Sequence, residues 1–284
     1  MNTADDVIIS AALTGAVTPK DINEHIPLTP EEIAADAYRC WQAGAAVVHL
    51  HMRDENGLGT MSSERFAQTL RLLREYRDCD VIINCTTSGD SRAHDEQRMA
   101  HVSTLAGIEM ASWDAGSFNW MPAGVFVNSP DFLGKLGEVL TARGIKPEVE
   151  IFDSGMLGVA GYFVEQGKLR APLHYQFCLG IPGGMPATVA NLVYLTQQLP
   201  AGATWSAFGV GKHHLPILFA SLALNGHVRV GLEDNVYFSR GVKATNSQLV
   251  ERAAQAVKLF GKRVATPAIA REILGLPPLV GGIQ

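Results

Sequence analysis

Eight short runs rich in β-branched and aromatic residues recur along the sequence at near-even intervals. They are VIISAAL near 7–13, AVVHLHM near 46–52, VIINCT near 81–86, IEMAS near 108–112, EVEIFD near 148–153, LHYQFCL near 173–179, TWSAFG near 204–209 and HVRVGL near 227–232. Their mean spacing is about 32 residues, the length of one strand plus one crossover helix. Strands that alternate with helices must run parallel, and eight such units are what a closed (β/α)8 TIM barrel requires, whereas doubly wound sheets more often stop at about five to seven strands. The intervening segments carry helix punctuation. Thr29-Pro30-Glu31-Glu32 supplies an N-cap, a first-turn proline and a capping-box glutamate, with Gly44 placed to end the helix. Ser129-Pro130 with Gly144 repeats the design, and Thr266 to Leu276 predicts an additional C-terminal helix whose apolar stripe would face the barrel or a neighbouring subunit.

A chain of 284 residues is long for one ordinary domain but suits one α/β barrel, and no linker-like stretch divides it, so residues 1–284 are expected to form a single catalytic domain. With 23 Lys+Arg against 28 Asp+Glu and no basic stripe, the sequence lacks the footprint of a nucleic-acid binder. The start, MNTADDVII, is acidic where an export signal would be basic, and the longest apolar run is far short of the ~20 residues of a membrane span. Four scattered cysteines (Cys40, Cys79, Cys85, Cys178) without a C-x-x-C pair read as free thiols, and a cytoplasmic location follows.

His49 and His51 stand two apart at the end of the second run, so both imidazoles share one strand face at the barrel's catalytic rim. That is Zn²⁺-ligand geometry, and Glu233, just beyond the eighth run, is the best third ligand because closure brings the eighth strand near the first two. Arg229, on the otherwise apolar eighth run, needs a carboxylate partner, most obviously Asp234. Glu148 and Glu150 alternate on one face of the fifth run; at least one should point inward, with Glu150 preferred for its position nearer the strand's end. Thr86-Thr87-Ser88-Gly89 and Ser112 with Asp114 and Gly116 offer donors suited to a carboxylate. The Gly180–Met185 segment GIPGGM is a weak phosphate signal and equally a sharp turn.

The strings ALTGA (12–16), TPEEIA (29–34), GAAVVHLHMRD (44–54), EMAS (109–112), PEVEIFDSGM (147–156), GIPGGMP (180–186), GHVRVGLEDN (226–235) and ATPAIAREILGL (265–276) together resemble the beta-keto acid cleavage enzyme family, in order over essentially the whole chain. The resemblance implies a zinc-bearing TIM barrel that condenses a β-keto acid with acetyl-CoA to give acetoacetate and a new acyl-CoA. It places metal ligands on His49, His51 and Glu233, the acid/base carboxylate on Asp234, its arginine on Arg229 and a supporting glutamate on Glu150. Carboxylate-binding hydroxyls fall on Thr86 and Ser112, a loop glycine on Gly89, and a homotetramer is implied. The chain departs from the family pattern at Val17, where members that take an amino-bearing substrate have a glutamate; a neutral keto acid is therefore expected. Ser88 for a glycine and Asp114 for an asparagine are further departures. Two rival readings are a zinc hydrolase of the amidohydrolase type, whose H-x-H pair belongs to the first barrel strand, and a non-enzymatic metal-binding or scaffold protein.

Overall fold

In a computed structural model, which describes residue 3 and residues 5–279, the eight runs become eight parallel strands of one closed barrel. They are β1 (Ile9–Ala12), β2 (Val47–Leu50), β3 (Ile82–Cys85), β4 (Met110–Asp114), β5 (Lys146–Ile151), β6 (His174–Leu179), β7 (Thr204–Gly209) and β8 (His227–Val230), with β8 pairing β1 to close the sheet. The expected (β/α)8 barrel is thus the fold. The first two residues, Ala4 and residues 280–284, which include the first part of the acidic start, lie outside the described residues.

The wall is built by α1 (Pro30–Gln42), α2 (Ser63–Glu75), α3 (Asp95–Thr104), α4 (Pro130–Arg143), α5 (Gly155–Glu165), α6 (Val189–Gln197), α7 (His214–Ala223) and α8 (Asn246–Leu259), one after each strand. Local chemistry sets their ends. Thr29 and Glu32 form the reciprocal capping box of α1, Ser129 caps α4 by accepting from Phe132 N, and Gly144 ends α4 in the left-handed conformation, at φ 68°. Outward strand residues such as Val48, Ala111, Trp113 and Val149 join the helix faces in the main apolar core; Trp113 also donates its indole N–H to Leu133 O.

The barrel interior is instead polar at mid-height. Ser10, His49, Asn84 and Ser112 from β1 to β4, and Glu148, Gln176, Ser206 and Arg229 from β5 to β8, are all buried and come one from each strand. A contact across the lumen shows the inward face, Asn84 Nδ2 donating to Glu148 Oε1 at 2.7 Å, and on adjacent strands Ser206 Oγ donates to Gln176 Oε1 at 2.5 Å. Below this layer the barrel turns apolar. Ile8, Val47, Ile82 and Met110 pack on Ala270, Leu274 and Leu276 of a ninth helix, α9 (Pro267–Leu274), and its C-terminal flank. Arg271 of α9 holds Glu109 through two hydrogen bonds of 2.6 and 2.9 Å, so this helix covers the N-terminal end of its own barrel. All four cysteines are free.

Candidate active site

His49 Nε2 and His51 Nε2 lie 3.7 and 3.5 Å from Glu233 Oε1, at the C-terminal rim of the barrel. One ligand atom from each of the three residues fits within 4.8 Å. The two imidazoles meet edge to face at 5.1 Å, as a strand's period of two requires. Glu233 reaches them because Gly231, at φ 145°, lets β8's end run against Ala12; a Cβ there would sit 2.0 Å from Ala12 O. Gly15, at φ 62°, packs on Glu233 in the same way, with a Cβ 2.8 Å from its Cγ. Asn246, buried at the start of α8, ties the two strand ends together by accepting from Leu232 N at 2.8 Å and donating to Leu13 O at 2.9 Å.

Burial pushes the His49 imidazolium well below the usual histidine range, so its ring is neutral and has a lone pair to give. Burial alone would raise Glu233, but His51, Arg229 and His49 outweigh it and hold the carboxyl well below the usual range. Its Oε2 is buried without a hydrogen-bond partner among the described residues. Imidazole nitrogens, an ionised carboxylate and an orphaned oxygen are the donor set of a catalytic zinc. The residues fit that metal.

Arg229 is the hub of the adjoining network. It donates from Nε and Nη2 to the two oxygens of Asp234 at 2.9 and 3.1 Å, from Nη2 to Glu233 Oε1 at 2.6 Å and from Nη1 to Glu150 Oε1 at 3.1 Å. Its guanidinium lies 4.6 Å over the Phe208 ring. Burial pushes Asp234 up to about 6 despite Arg229, which puts it in the range of a base that works near neutrality. On the opposite side of the rim, Thr86 Oγ1 accepts from Ser88 N at 3.1 Å and Ser112 Oγ accepts from Thr87 N at 3.0 Å. With backbone amides feeding their lone pairs, the two hydroxyls can turn their protons to an anionic ligand. Gly89 lets this loop approach; a Cβ there would be 3.3 Å from His51 Nδ1.

A model of the family described as beta-keto acid cleavage enzyme matches residues 6–276. The chain belongs to that family. As a beta-keto acid cleavage enzyme it is an acyltransferase-type, carbon–carbon bond-cleaving enzyme. It is 39% identical over 273 residues to the 3-keto-5-aminohexanoate cleavage enzyme of Fusobacterium nucleatum, covering 96% of this chain and 98% of that one. It is 37% identical to the 3-oxoadipate:acetyl-CoA acetyltransferase of Cupriavidus necator, over 96% and 95% of the two chains. Among solved structures, apo ObcA superposes with a TM-score of 0.79 at 21% identity, over 89% of this chain and 66% of ObcA, and shows the same fold.

Within this beta-keto acid cleavage enzyme some sequence candidates sit away from the centre. Val17, on the loop after β1, is 71% exposed at the rim. The GIPGGM segment forms a sharp turn: Gly180 N donates to Met185 O, and a Cβ on Gly183 would meet Asn119 O at 1.7 Å. Of the two glutamates the sequence offered on β5, the less favoured one also reaches the site, and two further contributors, Asn84 and Arg53, escaped the sequence reading. Glu148 lies 3.7 Å from both His49 Nδ1 and Arg229 Nη1, so both glutamates of β5 face inward. Asn84 binds Glu148, and buried Arg53 donates to the carbonyls of Thr14, Gly15 and Thr18, fixing the loop that leans on Glu233. Arg53 follows the H-x-H string by two residues, and a charge inside an otherwise apolar run was the signal for it. A family match over nearly the whole chain leaves the amidohydrolase reading without support.

Proposed function

We propose that this protein is a zinc-dependent enzyme that converts a β-keto acid and acetyl-CoA into acetoacetate and the acyl-CoA of the keto acid's remaining portion. The observation that carries the reading is the placement of Asp234, in a bidentate grip by Arg229, immediately beside the His49–His51–Glu233 cluster. Relatives named as acetyl-CoA transferases support the co-substrate.

A zinc held by His49, His51 and Glu233 would supply Lewis acidity to the keto acid's oxygens. Thr86 and Ser112 donate their hydroxyl protons to the substrate carboxylate, and Gly89 keeps that subsite open. Asp234 takes a proton from the carbon between ketone and carboxylate; Arg229 orients it and Glu150 steadies Arg229. The carbanion so formed attacks the acetyl thioester and displaces CoA, whose thiolate adds to the original ketone; cleavage of the carbon–carbon bond then releases the new thioester and acetoacetate, and Asp234 returns its proton. From the family resemblance alone, which implies a glutamate at the position of Val17 in members that take an amino-bearing substrate, we take the keto acid to have no ammonium at its distal end, although Val17 itself lies exposed at the rim. We further take the protein to be cytoplasmic and a homo-oligomer, most simply a tetramer; among the described residues no helix is long and apolar enough to cross a membrane.

A panel of neutral, anionic and amino-bearing β-keto acids with acetyl-CoA, read as acetoacetate, tests the reading. Turnover should be acetyl-CoA-dependent and greatest on a neutral member. Acetoacetate from none of them would refute it.

A further inference from the structure

His49 turns Nε2 toward Glu233, which leaves Nδ1 on the other side of its ring, buried and without a hydrogen-bond partner among the described residues. A ring nitrogen left bare in the interior is costly, so the groups around it matter. Glu148 Oε1 is 3.7 Å away, too far for a hydrogen bond, and already accepts from Asn84 Nδ2 at 2.7 Å. Asn84 itself is the residue paired with His49 where β3 runs beside β2; it is fully buried, and its Oδ1 also lacks a partner among the described residues. Its amide acts on the His49 ring as an acceptor does, favouring a proton there. An asparagine can turn either its oxygen or its nitrogen to a neighbour, and the surrounding network decides which. A carboxylate only accepts, so Glu148 draws the NH2 group to β5 and leaves the oxygen for His49.

Resting on the zinc-dependent function proposed above, we propose that Asn84 is a positioning residue for the metal: its Oδ1 accepts from His49 Nδ1, which keeps the ring proton on that nitrogen and the lone pair on Nε2, and Glu148 holds the amide in that orientation. The chain Glu148–Asn84–His49 takes one residue from each of β5, β3 and β2 and so spans the lumen. An acceptor on the far nitrogen of a ligating imidazole fixes its tautomer and raises its basicity, and losing that acceptor typically weakens metal binding by about 10–100-fold. It also accounts for an amide inside the otherwise apolar Val81–Cys85 run.

The test is zinc affinity, measured by competition with a chromophoric chelator on the wild type and two variants. Asn84→Leu, close in shape but without an acceptor, should bind zinc about 10–100-fold more weakly. Asn84→Asp presents an oxygen to His49 whichever way it turns, and should stay within about fivefold of the wild type. Unchanged affinity in the leucine variant, or an equal loss in both, would overturn the proposal, the second because it would mean that the position serves packing alone. If the leucine variant does not fold, long-range ¹H–¹⁵N spectra of the metal-free wild type decide, with the His49 signals identified by their loss in His49→Ala. The ring should carry its proton on Nδ1 before any metal arrives; a proton on Nε2 would overturn the proposal. A wild type that binds no zinc would instead remove the reading on which it rests.

Discussion

Asp234 and the His49–His51–Glu233 cluster share an edge of the barrel but are separable by mutation. Asp234→Asn keeps the shape of the side chain and leaves His49, His51 and Glu233 in place, so zinc content should be unchanged while kcat falls by roughly 10²–10⁴; turnover within a few-fold of wild type, measured on protein of equal metal content, would remove the base. Conversely, His49→Ala with His51→Ala should abolish zinc binding by elemental analysis, and full occupancy in that variant would remove the site. These residues were legible in the sequence because their signals are local: two imidazoles at a strand's period, and a charged string just past the eighth run. Asn84 was not, and Glu148 only as one of a pair, because their partnership arises across the lumen, where residues 64 apart in the chain meet at 2.7 Å. Nothing in VIINCT marks Asn84 as the partner of a glutamate on β5.

Helix α9 shows how far an element can be read before packing intervenes. Its existence followed from the N-cap Thr266 and the proline after it, and the structure confirms that Thr266 caps it, with Gly275 ending it at φ 68°. What its apolar stripe covers could not be read, since a helix stripe fits either its own barrel or another subunit. Leu274 and Leu276 are spent inside the chain, against Ile8, Val47 and Met110, while Ile269 and Ile273 stay partly buried. Arg271 is 3% exposed at its side chain and locks the element through Glu109. Arg271→Ala leaves that carboxylate half-buried without its partner and should destabilise the protein by about 2–4 kcal/mol in chemical denaturation, with the turnover of the folded fraction retained. A loss below about 0.5 kcal/mol would mean that the plug is held by its apolar contacts alone.

Over the whole molecule, a large apolar core surrounds a polar lumen and a smaller one seals its base, and we read the chain as one domain that should unfold in a single transition. Its stability should depend on pH through buried histidines that are not among the proposed metal ligands. Burial pushes His101, stacked on Phe66 at 4.1 Å, and His227, which accepts from Ile8 N, down to about 4. The unfolded chain takes up these protons below about 6.5 and the folded chain does not, so stability is undiminished above that pH and falls by about 1.4 kcal/mol per pH unit for each histidine between 6.5 and 4. Denaturation midpoints that stay level from pH 7 to 5 would show that these rings titrate normally in the fold. The central claim, that acetyl-CoA enters the product rather than merely accompanying it, is reached most directly by isotope. With acetyl-CoA carrying ¹³C at both acetyl carbons and an unlabelled β-keto acid, the acetoacetate formed should carry the label at C3 and C4 alone, its C1 and C2 coming from the keto acid. Unlabelled acetoacetate, or keto acid consumed at the same rate without acetyl-CoA, would contradict the account.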